Sequence, residues 1–125
     1  MRIAYNASLN PPAPFLTVRV SNLEDKLLSP EILAKVDTGA DVTAIPFALV
    51  DQCRLSQTGQ FAVEGYDRHT KSLPYYDVIL RVAHLKLVGL SAITFSENYI
   101  LIGRDALNYL RLLLEGPALT LEILD

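Results

Sequence analysis

The stretch KVDTGADVTAIP, residues 35–46, holds the grouping in this chain that points most directly to chemistry. Asp37 follows an apolar run, ILAKV, and precedes Thr38 and Gly39. Such a triplet looks like half of an active site. A water molecule can be activated between two carboxylates, one ionised to take its proton and one protonated to donate. Two carboxylates a few ångströms apart cannot both be charged cheaply, so they share a proton and titrate as a unit. The triplet occurs once in 125 residues. Taken alone it also fits an ordinary turn, because Asp and Gly favour turns.

The elements around the triplet read as mostly β. NPPAPFLTVRVSN opens with prolines and then alternates, with Phe15, Thr17 and Arg19 on one face and Leu16, Val18 and Val20 on the other. That is the pattern of a half-buried strand. LEDKLLSPEI reads as a polar loop. ILAKVDTG is a short strand running into a turn, and DVTAIP a second short strand stopped by Pro46. PFALVDQC puts its proline at a first helical position and predicts one or two turns of helix. QFAVEGY and KSLPYYDVILRV flank the polar segment DRHT, which predicts a hairpin with an exposed tip. Further strands are expected across YDVILRVAHLKLVGLSAITF, with Tyr75 and Tyr76 at a strand edge and His84 within a strand. YILIGRDALNYLRLL reads as a strand, a glycine and then a substantial helix. Ala106, Leu107, Leu110 and Leu114 would form its apolar face. PALTLEILD alternates again and ends the chain as a strand.

Composition narrows the class. The length is about that of one domain, half the residues are hydrophobic and a fifth are charged, which is a globular balance. A net charge of −3 and no Lys/Arg run argue against nucleic acid or an anionic membrane as partner. The one cysteine, Cys53, excludes an intrachain disulfide and fits a reducing compartment. It is expected to pack as a small hydrophobe. The N-terminus lacks the apolar core of a signal peptide, and no apolar run is long enough to span a membrane. A cytoplasmic location is expected. Two histidines and one cysteine make no recognised metal site, and neither a metal nor an organic cofactor is expected.

Together with the later stretch ILIGRDAL, the triplet and its flanks resemble the retropepsin-like aspartic proteases. These are the single-lobe relatives of pepsin that include the retroviral enzymes. The resemblance runs from about Phe15 to Leu124 and is specific in the two motifs. It implies an all-β fold, a closed barrel of the acid-protease type spanning residues 1–125 as one domain. A short helix would follow the catalytic loop and another would lie near the C-terminus. It implies peptide hydrolysis by water held between two aspartates. Asp37 would be one of them, and Asp37 of a second copy the other, since a twofold interface presents the same patch twice. The enzyme is therefore expected as a homodimer.

The resemblance also assigns roles to neighbours. Thr38 would hydrogen-bond across the interface and stiffen the two loops. Gly39 would let substrate backbone come close, and Ala40 completes the loop. Ile100, Leu101, Ile102 and Gly103 would pack under it, and Arg104 would pair with Asp41. The hairpin around EGYDRHTK corresponds to the flap, a mobile lid. Gly65 would give it flexibility and Tyr66 resembles the flap tyrosine of pepsin-like enzymes. Asp67, Arg68 and His69 make its tip polar, where viral flaps are glycine-rich. Lys35 lies two residues before Asp37, on the same strand face, where viral enzymes usually carry an apolar pocket residue. A lysine there favours acidic or polar substrate side chains and lowers the pKa of the pair. Tyr99 stands with Lys35 and the flap among the candidate substrate contacts. An extended peptide or unfolded protein would bind as an added strand between floor and flaps. The terminal LTLEIL fits either the last strand of the core or a sheet shared between subunits. The short stretch before the first strand is expected to leave no room for a large pro-segment. The expected function is aspartic endopeptidase. The alternatives are a protease-fold module that binds peptide or dimerises with little cleavage, and a monomeric β-barrel binding domain of other ancestry.

Overall fold

The computed structural model describes residues 1–64 and 67–124. Along them run β1 (Arg2–Ala4), β2 (Phe15–Ser21), β3 (Ile32–Val36), β4 (Ala44–Pro46), α1 (Ala48–Gln52), β5 (Gln57–Glu64), β6 (Thr70–Val82), β7 (Leu85–Phe95), β8 (Ile100–Ile102), α2 (Arg104–Leu107), β9 (Arg111–Glu115) and β10 (Thr120–Leu124). Strands take 53% of the chain and helices 10%, so the fold is all-β.

The larger sheet has the order β2-β3-β8-β4-β7-β6-β5, and β6 also pairs with β2. The pairings from β2 round to β6 therefore return to their start, with β5 outside the ring. Alternation in β2 sorts its side chains as the sequence predicts. Leu16, Val18 and Val20 are at most 1% exposed, while Thr17 and Arg19 face solvent. Phe15 is buried too, although it lies on the Thr17 face, because its ring meets Tyr99 edge-on at 5.9 Å. Ile100 and Ile102 of β8 and Ile45 of β4 are fully buried between these strands. Each such side chain contributes roughly 1.5–3 kcal/mol by leaving water.

Cys53 packs in this core and its Sγ approaches the Val20 carbonyl at 3.6 Å. Burial pushes its thiol pKa up, which suits a packing residue better than a nucleophile.

The substantial C-terminal helix does not form. α2 has four residues and buries Ala106 and Leu107, Leu110 follows it, and Leu114 sits on β9. Residues 111–115 pair with residues 124–120 along their whole length. A five-residue antiparallel ladder to β10, the next strand in the chain, outweighs continuing the four-residue helix. β1, too short to show alternation, exists because it pairs with the other side of β10. The terminal LTLEIL is thus the middle strand of a three-stranded sheet, β1-β10-β9, made within one chain.

Three smaller expectations also change. Pro46 ends β4 rather than opening α1, which begins at Ala48 after Phe47. A strand end tolerates a residue with no N–H to donate. His84 lies in the exposed Ala83-His84 turn between β6 and β7, where Ala83 has φ 54°. Tyr75 and Tyr76 are interior, because β6 is paired on both sides; Tyr76 is buried, and Tyr75 stacks on Phe61 at 4.4 Å.

The loop between β2 and β3 is pinned by Asp25. Its carboxylate pairs with Lys86 at 2.9 Å and with Arg81, and accepts the Ser21 hydroxyl at 2.9 Å. The hydrogen bonds from Lys86 and Ser21, with the Arg81 charge, lower its pKa from 3.8 to about 2. A depressed carboxylate pKa stabilises the fold fully above the unfolded value, and that contribution is lost as pH falls towards the folded value. The wild type should therefore lose more stability than Asp25→Asn between pH 4 and pH 2, as followed by urea unfolding at each pH. Parallel curves for the two proteins would rule this contribution out.

Candidate active site

β3 and β8 run parallel, with Lys35 opposite Leu101 and Val36 opposite Ile102. The ladder continues one residue beyond β3, because Asp37 N–H donates to the Ile102 carbonyl at 3.1 Å. That bond places Asp37 at the mouth of the sheet, half-buried, with Thr38 and Gly39 exposed beyond it. The loop then folds back on the carboxylate. Gly39 N–H donates to Asp37 Oδ1 at 2.9 Å, and Ala40 N–H to the Asp37 carbonyl at 3.2 Å. A Cβ on residue 39 would stand 3.2 Å from that carboxylate oxygen, tighter than ordinary contact. The glycine lets its amide approach the acid.

The start of α2 clamps the loop from below. Arg104 N–H donates to the Ala40 carbonyl at 2.9 Å, and Arg104 Nη1 to the Thr38 carbonyl at 2.8 Å. Arg104 also pairs with Asp41, but the Asp41 side chain is 83% exposed. An exposed ion pair contributes at most about 1 kcal/mol. The bond to the Thr38 carbonyl is the better anchor, because it reaches the triplet itself. Ile102 and Gly103 are buried under the loop and Leu101 is half-buried.

A second anchor escaped the sequence reading. Thr43 is fully buried, and its Oγ1 donates to Asp105 Oδ1 at 2.7 Å while its N–H donates to Asp105 Oδ2 at 3.1 Å. Gly103 N–H donates to Thr43 Oγ1 at 3.2 Å. These bonds rivet β4 to the β8–α2 junction, with the Asp37 loop held between them. The available signal is a polar residue, Thr43 and Asp105, inside each of two largely apolar stretches, ADVTAIP and ILIGRDAL.

Two cavities open on the face of the sheet that carries the loop. One, of about 770 Å³, lies between Gly39–Val42 of the loop and Phe61, Ala62 and Glu64 of β5, with Leu101 on its floor. The first strand of the hairpin expected as a flap therefore borders the same cavity as the loop. The other, of about 530 Å³, brings Lys35 together with Phe15 and Tyr99. Tyr99 is locked there by edge-on contacts with Phe15 and with Phe95 at 5.6 Å. Asp67, Arg68 and His69 are exposed at the hairpin tip, and His69 N–H donates to Asp67 Oδ1 at 3.1 Å. Gly65 and Tyr66 lie outside the described residues.

Solved structures share this fold. A retropepsin-like aspartic protease from Rickettsia conorii superposes with a TM-score of 0.67 at 13% identity, covering 98% of this chain and 88% of that one. The EIAV protease, solved with the inhibitor HBY-793, gives 0.60 at 16% identity, covering 86% and 93%. The foamy viral protease-reverse transcriptase, solved with an RNA/DNA hybrid, gives 0.61 at 23% identity over 79% of this chain. This chain spans 12% of that longer protein. No family model and no curated protein matches the sequence. At these identities the likeness is one of fold: the chain has the retropepsin-like aspartic protease fold. Among the described residues, no helix is long and apolar enough to cross a membrane.

Proposed function

We propose that this chain is an aspartic endopeptidase acting as a symmetric homodimer, with residues 1–125 as its single protease domain. The observation that carries this reading is the Asp37 loop. One carboxylate is held by Gly39 N–H at the mouth of the sheet, on a loop tied down by Arg104, with β5 arching over the neighbouring cavity. Nothing in one chain supplies the second acid at that point, among the described residues. Asp37 of a second copy supplies it across a twofold axis.

In the assembled site the two Asp37 carboxyls share one proton. The ionised one takes a proton from water as the water oxygen bonds to the peptide carbonyl carbon. The protonated one gives its proton to the carbonyl oxygen. Collapse of the tetrahedral intermediate breaks the C–N bond, the amine leaves with a proton, and the pair returns to its shared-proton state. Thr38, exposed beside Asp37, would meet its counterpart and stiffen both loops. The extended substrate would lie as a strand under β5 and the Asp67–His69 tip. The single buried Cys53 supports a cytoplasmic setting.

The test is cleavage of denatured casein against protein concentration, with sedimentation alongside. Specific activity should rise with concentration and level off where the dimer is complete. Specific activity that stays constant down to concentrations where the protein sediments as a monomer would refute the shared site.

A further inference from the structure

Lys35 is a half-buried cation for which the catalytic loop gives no use. Its register partners are Phe15 on β2 and Leu101 on β8, so all three side chains leave the sheet on one face. Leu101 lines the cavity at the Asp37 loop, and Lys35 and Phe15 line the cavity beside it. Lys35 and Leu101, as register partners, thus place a lining residue of each cavity side by side on one sheet face. Among the described residues, the Lys35 side chain makes no hydrogen bond or ion pair. Glu31 touches the same cavity, but it is exposed and forms no ion pair with the lysine. Phe15, Tyr99, Leu9 and Leu33 give that cavity apolar walls, and Asn6 and Ser8 add neutral polar groups. An ammonium half-removed from water without an anion is costly. A carboxylate entering the cavity relieves that cost.

We propose that Lys35 makes this groove select an acidic substrate side chain close to the bond that is cut. The proposal rests on the protease reading for the location of that bond. The aliphatic part of a Glu or Asp side chain would lie against Phe15 and Tyr99, and its carboxylate would pair with Lys35 Nζ. A Lys or Arg side chain would be repelled. Two residues along a strand span about 7 Å, so the selected position lies within about two residues of the cut bond. A twofold site carries two copies of Lys35, so an acidic residue is favoured on either side of that bond.

The experiment uses peptides that differ only in Glu, Gln or Lys at those positions. Two readouts are taken: cleavage by the wild type, and fluorescence-anisotropy binding to Asp37→Asn, which keeps the groove without the chemistry. The Glu peptide should be favoured over the Lys peptide by about tenfold or more in both. Lys35→Met should level the series and Lys35→Glu should reverse it. Cleavage that ignores the substituted charge overturns the proposal and leaves the protease reading intact. Charge-selective binding that Lys35→Glu reverses, without any cleavage, supports an acid-selecting groove at Lys35 and refutes the protease reading, and with it the placement beside a cut bond. Peptides that neither bind nor are cut overturn both.

Discussion

Asp37→Asn is expected to lower kcat by about a thousandfold or more while leaving the fold and the sedimentation of the protein unchanged. The substitution keeps the shape of the side chain. An Asn Oδ1 can still accept the Gly39 N–H that Asp37 Oδ1 accepts at 2.9 Å. What disappears is the shared proton, since an amide neither takes a proton from water nor passes one to a carbonyl. The proposed twofold site adds a sharper expectation. Mixed with excess variant, the wild type should lose more activity than dilution explains, because each mixed pair retains one acid only. A variant that keeps a tenth of the wild-type rate, or a mixture that merely dilutes, would place the chemistry elsewhere.

Gly103→Ala is expected to cost about 3 kcal/mol or more, much of the margin of a small domain. The added Cβ would stand 2.7 Å from both the carbon and the oxygen of the Val42 carbonyl and 3.0 Å from the Ala40 carbonyl oxygen. All three are backbone atoms, so no side chain can swing aside. The φ of Gly103 is −92°, which any residue adopts, so close approach is the reason for glycine here. The clash falls between the Thr43–Asp105 rivet and the Ala40 carbonyl that accepts Arg104 N–H. Activity should fall along with stability. Gly116→Ala is the control, because its Cβ would meet nothing within 4 Å, and it should stay within about 0.5 kcal/mol of the wild type. Urea unfolding measures both, and equal midpoints would mean that the crossing at Gly103 is looser than its distances.

Signals that were local in the chain could be read without a structure. The alternation from Phe15 to Val20 is one, because strand period and burial coincide there. The Asp37 triplet alone reads as an ordinary turn; it stands out only with its apolar flanks and the later stretch ILIGRDAL. Arg104 and Asp41 are found together, and that pairing was anticipated only through family resemblance. Partnerships between distant residues were not readable. Thr43 and Asp105 are 62 residues apart and look ordinary in their own surroundings. The sequence of β9 reads as helix because leucines at positions 107, 110 and 114 fit a helical period, and only the ladder to β10 decides against it. β1 has three residues and no pattern of its own. The polar hairpin tip was visible as composition, yet composition does not say that Phe61, Ala62 and Glu64 of β5 would face the loop.

The place of β10 bears on how compounds could act on this protein. Its hydrogen-bonding groups are engaged on one side by β1 and on the other by β9, both from its own chain. A peptide mimic of TLEIL would find no vacant ladder there. It would have to displace a tethered strand whose effective concentration is on the order of millimolar. A copy of this strand therefore has no open foothold on β10 itself. Ligands aimed at the groove beside Asp37 do not face that competition.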